Sequence, residues 1–319
     1  MLVHRNLSWR AILHYTWKSL LYYFLLALFV YLVHDHYEVA YLSMPFNTVT
    51  ALSTALAIFL GFKNNNAYDR WWEGRKIWGL LVNYSRAWAR EVITMIMPED
   101  EQDTAAVRDL QQRMVYRHIA FVHALRVFLK KKHSYNETDQ EEIYEEANDY
   151  KDTEAFLMAS EYKAFCHKNN PPNFLLELQG EDLQRAFRRG WISDYRFVKL
   201  EETLVEFNNI QGRSERIKNT PFPRQYSFFS RVFVFIHASL LPFAFIHEMG
   251  LATIPVSFII SFVFLALDMV GERTEDPFEN RLEDVPLTAL SLTIETNLKE
   301  QWGDKNFPAK PKNKEGIVL

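Results

Sequence analysis

The chain has one cysteine, Cys166, among its 319 residues. That excludes an internal disulfide and any zinc site built from cysteines. Glycine is also scarce, at ten residues, and no glycine-rich loop of the phosphate-cradling kind occurs. No nucleophile–base pair or metal-ligand spacing stands out, so the residues suggest neither an enzyme nor a resident cofactor. A basic face is missing too: the net charge is -4, and nucleic acid is not an expected partner. The most informative absence is local. No lysine or arginine lies between Ser19 and Phe62, and none between Val232 and Glu272, although the chain holds 36 such residues. Each gap of about forty residues suits two membrane spans and a short turn. A mean hydropathy of -0.20 with 24% charged residues averages this segregation away.

What fills the gaps is apolar and aromatic. A first span is expected over Leu20–Val33, flanked by Trp9, Trp17 and Lys18 as interfacial residues, and a second over Pro45–Phe62. A third is expected over Phe229–Ile246 and a fourth over Leu251–Val270, with Gly250 as the turn. The basic N-terminus before the first stretch resembles a signal peptide superficially. The stretch is long and aromatic with no small-residue cleavage site, so it reads as a retained span. The outer connectors, Val33 to Pro45 and His247 to Gly250, carry no Lys or Arg. The inner flanks carry Arg5, Arg10, Lys18, Lys63, Arg70, Arg75, Lys76, Arg224, Arg231 and Arg273. The positive-inside rule then predicts a multi-pass membrane protein with both termini cytoplasmic.

The expected class is all-α, four transmembrane helices with a large helical cytoplasmic region. The expected order is a first hairpin over 1–62, a cytoplasmic region over 63–228, a second hairpin over 229–271, and a helix and tail over 272–319. Helical apolar spacing in the cytoplasmic part, as at Trp78, Leu81 and Ala87, outweighs strand-like alternation. Breaks are expected at Met97–Asp100, Lys132–Ser134 and Asn169–Pro172. The acidic stretch Glu141–Asp152 reads as a solvated helix face, and Leu287–Leu298 as a last helix before a Lys- and Pro-rich tail.

The second span is the candidate functional element. Asn47, Thr50 or Thr54, Ile58 and Phe62 fall on one helical stripe, which continues through Asn65, Asn66 and Asp69. Ala51 with Ala55, and Ser53 with Ala57, are small pairs that permit close helix approach. Such a face suits a pore lining, with apolar constrictions that gate by dewetting. A helix buried in an ordinary bundle with a polar inner end would show the same spacing.

The run Phe59-Leu60-Gly61-Phe62 followed by Asp69-Arg70-Trp71-Trp72 resembles the bestrophin signature, a Leu-Gly-Phe with an Arg-Trp-Trp eight residues later. The segment Arg216 to Pro223 is similar to the approach to the third span in the prokaryotic branch, and Asp276-Pro277-Phe278 matches the Pro-Phe after the fourth. The resemblance covers nearly the whole chain. It implies a homopentamer in a bilayer, in this branch a bacterial inner membrane, with a central pore. The implied neck residues are Thr54, Ile58 and Phe62, the first replacing a more usual aliphatic residue. A second, cytoplasmic constriction is implied near Ile192 to Arg196.

Charge and branch both bear on ion preference. Asp35, Glu38 and Glu248 would form acidic rings at the outer mouth, or serve simply as solvated loop acids. The prokaryotic branch resembles cation channels, so conduction of monovalent cations such as sodium is expected; the alternatives are an anion channel like the animal relatives, or a transporter. Transporters show repeats, and none is visible here, although Pro242 and Pro255 are placed to break helices. The stretch Glu279-Asn280-Arg281-Leu282-Glu283-Asp284 interrupts the acidic run that binds calcium in the animal branch, so calcium gating is not expected. Among His14, His34, His36, His237 and His247, only His237 lies well inside a span, and it reads as an interhelical hydrogen-bonding residue rather than a haem ligand.

Overall fold

A computed structural model describes residues 9–37, 43–131, 150–281 and 283–309. The described residues are helical, without strands: α1 (Trp9–Tyr37), α2 (Phe46–Met95), α3 (Thr104–Lys130), α4 (Lys151–Glu154), α5 (Ala159–Phe165), α6 (Pro171–Arg188), α7 (Asp194–Asn219), α8 (Arg224–Met249), α9 (Thr253–Thr274) and α10 (Leu287–Trp302). They sort into two compact units, which exchange the chain after Trp71, after Thr220 and after Asp276.

The first unit holds α1, α2 up to Trp71, α8 and α9. Segments long and apolar enough to cross a membrane are Tyr15–Asp35, Phe46–Met95 and Arg224–Thr274, the last comprising α8 and α9 with the short Gly250–Ala252 turn between them. The short apolar core expected at Leu20–Val33 is extended by its flanks at both ends, giving a 21-residue stretch. Helix α9 packs along both α1 and α8. On α1 the buried positions are Thr16, Leu20, Tyr23, Ala27 and Val30, three or four apart, while Trp17, Leu21, Leu25, Phe29 and Leu32 are exposed. Apolar residues on both faces at this length suit a span packed on protein along one side and open to lipid along the other. Neither proline breaks its helix. Pro242 lies inside continuous α8, and Pro255 occupies the first turn of α9, where no backbone donor is required.

The second unit holds α2 from Trp72, α3 to α7, and α10. Helix α3 is its axis, packing on α6 and α10 while α6 packs on α7. Its core is aromatic, with Trp78, Trp88, Phe121, Phe165 and Phe207 fully buried. It also contains a dense ion network. Asp182 receives Arg117 at 2.7 Å and Arg113 at 3.1 Å, and Arg117 also binds Glu161. Burial opposes the Asp182 charge, but the two guanidiniums outweigh it and hold the carboxyl below its usual range. The interruptions of this unit follow local chemistry. Helix α2 ends at Met95, just before Met97–Asp100, and α6 begins at Pro171 with Asn170 capping the Asn173 amide at 3.2 Å. The break expected at Lys132–Ser134 and most of the acidic stretch Glu141–Asp152 lie outside the described residues. The last helix runs to Trp302 and ends at Gly303, whose φ of 89° is the left-handed geometry of a helix stop.

The exposed face of the second helix

Helix α2 is unbroken for 50 residues. Its buried positions Val49, Leu56, Leu60, Lys63 and Ala67 lie on one side. Val49 joins Leu241, Ala244 and Phe245 of α8 in one cluster, and Leu56 and Leu60 join Val234 in another. Between these clusters the Ser53 hydroxyl contacts His237 Nε2 at 2.6 Å. Ser53 donates its one hydrogen to the Val49 carbonyl at 2.7 Å, so the imidazole Nε2–H is the donor of the pair. The interhelical role expected for His237 is what the geometry shows.

The opposite side carries the stripe. Asn47, Thr50, Ala51, Thr54, Ala55, Asn65, Asn66 and Asp69 are exposed, as are Ile58 at 56% and Phe62 at 68%. Among the described residues nothing buries these positions, although Ile58 and Phe62 are large apolar side chains in a stretch apolar and long enough to cross a membrane. Thr50 and Thr54 donate to the Phe46 and Thr50 carbonyls, each at 3.0 Å. Their hydroxyl hydrogens are spent on the helix itself. Thr54 is therefore less polar toward its surroundings than its side chain implies. Asn65 reaches Asp69 at 3.4 Å along the same face. A Cβ at Gly61 would meet nothing within 4 Å among the described residues.

The part of α2 in the second unit carries exposed basic residues. Lys76, Arg86 and Arg90 are exposed on α2; Lys76 pairs with Glu73 at 2.7 Å. At the opposite end of the first unit, Asp35 and Glu248 are both exposed, and Glu38 lies outside the described residues. The motif residues are divided between two jobs. Arg70 meets Asp276 at 3.4 Å, and Trp71 stacks on Tyr68 at 6.3 Å, whereas Trp72 is 46% exposed. Pro223 precedes α8 as its N-cap. Phe278 is fully buried, and together with Pro277 it closes on Gly74, where an added Cβ would sit 3.1 Å from the ring.

In the segment after Phe278, Glu279 is paired with Lys218 at 2.8 Å. Asp284 is buried, accepts from the Arg281 amide at 3.1 Å, and leaves its other oxygen without a hydrogen bond. Burial pushes its carboxyl up to about 7. No cluster of three or more His, Cys, Asp or Glu groups suited to a metal occurs among the described residues. In the stretch Ile192 to Arg196, Ile192 is buried, Tyr195 is 91% exposed, and Arg196 donates to the Met95 carbonyl at 3.2 Å.

Sequence reasoning missed one feature, a buried ion pair between Lys63 and Asp268 at 2.8 Å. The signal was available: Asp268 and Glu248 are the only charged residues between Val232 and Gly271, and an ionisable group inside an apolar helix calls for a partner.

A family model described as "Bacterial/Fungal Bestrophin protein" matches residues 6–300. The voltage-dependent anion channel-forming protein YneE of Escherichia coli is 32% identical over 277 residues, covering 87% of this chain and 82% of that protein. A voltage-dependent anion channel-forming protein of Ralstonia nicotianae is 29% identical over 302 residues, covering 94% and 92%. Among solved structures, a bacterial bestrophin homologue from Klebsiella pneumoniae superposes with a TM-score of 0.78 at 28% identity, over 90% of this chain and 98% of that one.

Proposed function

The chain belongs to the bacterial and fungal bestrophin family, and from that premise we propose that it is a homopentameric ion channel whose pore is lined by α2. The reading is carried by one observation: the helix leaves Ile58 and Phe62 exposed, in register with Asn47, Thr54, Asn65 and Asp69, while its other side is fully employed within the chain. Exposed Ile58 and Phe62 need shelter from water, and a ring of copies sets them against one another around a central axis. Thr54, Ile58 and Phe62 then form the neck, where apolar rings control wetting. Four spans, α1, α2, α8 and α9, fit the apolar lengths and the charge pattern, with both termini on the cytoplasmic side. Gating without calcium fits the engagement of Glu279 by Lys218.

For the sign of the ion, monovalent anions are the better supported choice. The exposed bases Lys76, Arg86 and Arg90 outnumber the exposed acid Asp69 on α2 after Phe62, and the curated relatives are described as anion channel-forming. Cation conduction is the second reading, supported by exposed Asp35, Glu248 and Asp69. The experiment is reconstitution of the purified protein in planar bilayers under a salt gradient, with particle images for symmetry. Five-fold particles, conductance, and a larger current from Ile58→Ala support the channel. A reversal potential following chloride supports the anion choice, and one following sodium supports the second reading. A non-conducting protein that takes up a substrate saturably would end the channel reading.

A further inference from the structure

One residue past the neck positions, α2 is anchored by a buried ion pair. Lys63 follows Phe62 directly, yet points the other way: it is 1% exposed where Phe62 is 68% exposed. Its ammonium meets Asp268 Oδ1 of α9 at 2.8 Å and Ser230 Oγ of α8 at 2.9 Å. Asp268 is 4% exposed and Ser230 fully buried, so one lysine ties three helices at a single level. The next residue adds a second tie, Asn64 Nδ2 donating to the Leu267 carbonyl at 3.0 Å. Opposite both, α9 carries Gly271. A Cβ there would lie 2.2 Å from Asn64 Oδ1 and 3.4 Å from Lys63 Cε. The turn Lys63–Asn64 thus packs closely on Gly271, where a Cβ would have to displace the Asn64 side-chain amide.

We propose that the Lys63–Asp268 pair, with Ser230 and the close Gly271 contact, is a rotational lock that fixes the azimuth of α2 and so aims Ile58 and Phe62. A buried charge that loses its partner cannot stay in place without cost. Lysine, on a four-carbon stem, relieves that cost by moving toward water. Because Lys63 is adjacent to Phe62, such movement turns the neck residues with it. Neutralising either partner loosens the neck. The two partners act as positioning residues, since neither faces the stripe.

This inference rests on the channel reading, and its test separates the two. Full-length Lys63→Met and Asp268→Asn are reconstituted beside wild type after size-exclusion chromatography shows the same assembled species. Each is expected to raise single-channel open probability at least fivefold. The charge swap Lys63→Asp with Asp268→Lys is expected to return it to within twofold of wild type. A purely structural pair would lower yield and melting temperature but leave assembled channels with wild-type open probability, and that result overturns the lock. If Lys63→Met does not assemble, the nearly isosteric Asp268→Asn decides alone by the same criterion. If wild type does not conduct, the channel reading fails, and amide hydrogen exchange over residues 56–66 decides the lock. Exchange at least tenfold faster in the single variants and not in the swap supports it, and equal exchange overturns it.

Discussion

Acidification tests the second unit at two buried groups that respond in opposite directions. His118 is fully buried, its ring 4.3 Å from Phe207, and its Nε2 is 2.8 Å from Ser85 Oγ. Ser85 spends its own hydrogen on the Leu81 carbonyl at 2.7 Å, so the imidazole is a neutral donor, and burial lowers its pKa from 6.5 to about 3. Below pH 6.5 the unfolded chain takes up a proton that the folded one refuses, and stability falls. At pH 5 that amounts to about 2 kcal/mol, from the 1.5-unit gap at about 1.4 kcal/mol per unit. Asp284 runs the other way. Its folded value of about 7 lies above the unfolded 3.8, so its contribution is full below 3.8 and is lost as pH rises through 7. Between pH 7.5 and 5 it gains about 2–3 kcal/mol, and the two effects nearly cancel. Replacing one group exposes the other. His118→Gln should become relatively more stable toward pH 5, and Asp284→Asn relatively less. By unfolding in detergent, the variant-minus-wild-type melting temperature should move by about 5 °C in each case, with opposite signs, taking ~2–4 °C per kcal/mol. Difference curves that are both flat, or that share a sign, would refute the reasoning.

Two further outcomes follow from the geometry. Asp182→Asn leaves Arg113 and the fully buried Arg117 without their shared carboxylate, and should cost about 3–5 kcal/mol in denaturant unfolding; a loss below about 1 kcal/mol would mean that Glu161, Gln179 and the Leu178 carbonyl together satisfy Arg117. Replacing Lys76, Arg86 and Arg90 together with glutamine should lower the chloride-to-potassium permeability ratio by about twofold or more if that face lies along the conduction path, and an unchanged reversal potential would remove those residues from it.

Part of this architecture was legible from the sequence because its cause is local. The scarcity of basic residues across Ser19–Phe62 and Val232–Glu272 reflects the cost of charge in hydrocarbon, which acts on each residue separately. The stripe through Thr54, Ile58 and Phe62 follows from helical period alone, and so does its continuation to Asp69. The breaks before Thr104 and at Asn170-Pro171 follow from turn and capping chemistry.

Other features depend on partners far along the chain. Period says that Ile58 and Lys63 face different ways, but only packing against α8 and α9 makes Lys63 the buried one. Asp268 lies 205 positions from Lys63, and no local rule joins them. Nor does sequence show that Gly271 clears the space Asn64 occupies, or that Thr54 turns its hydroxyl hydrogen back to Thr50. The sequence by itself determined which segments are apolar and long enough to cross a membrane and which face of α2 could line a pore. Tertiary structure decided which face is left free, because burial is settled by the neighbours a residue acquires and not by its own character.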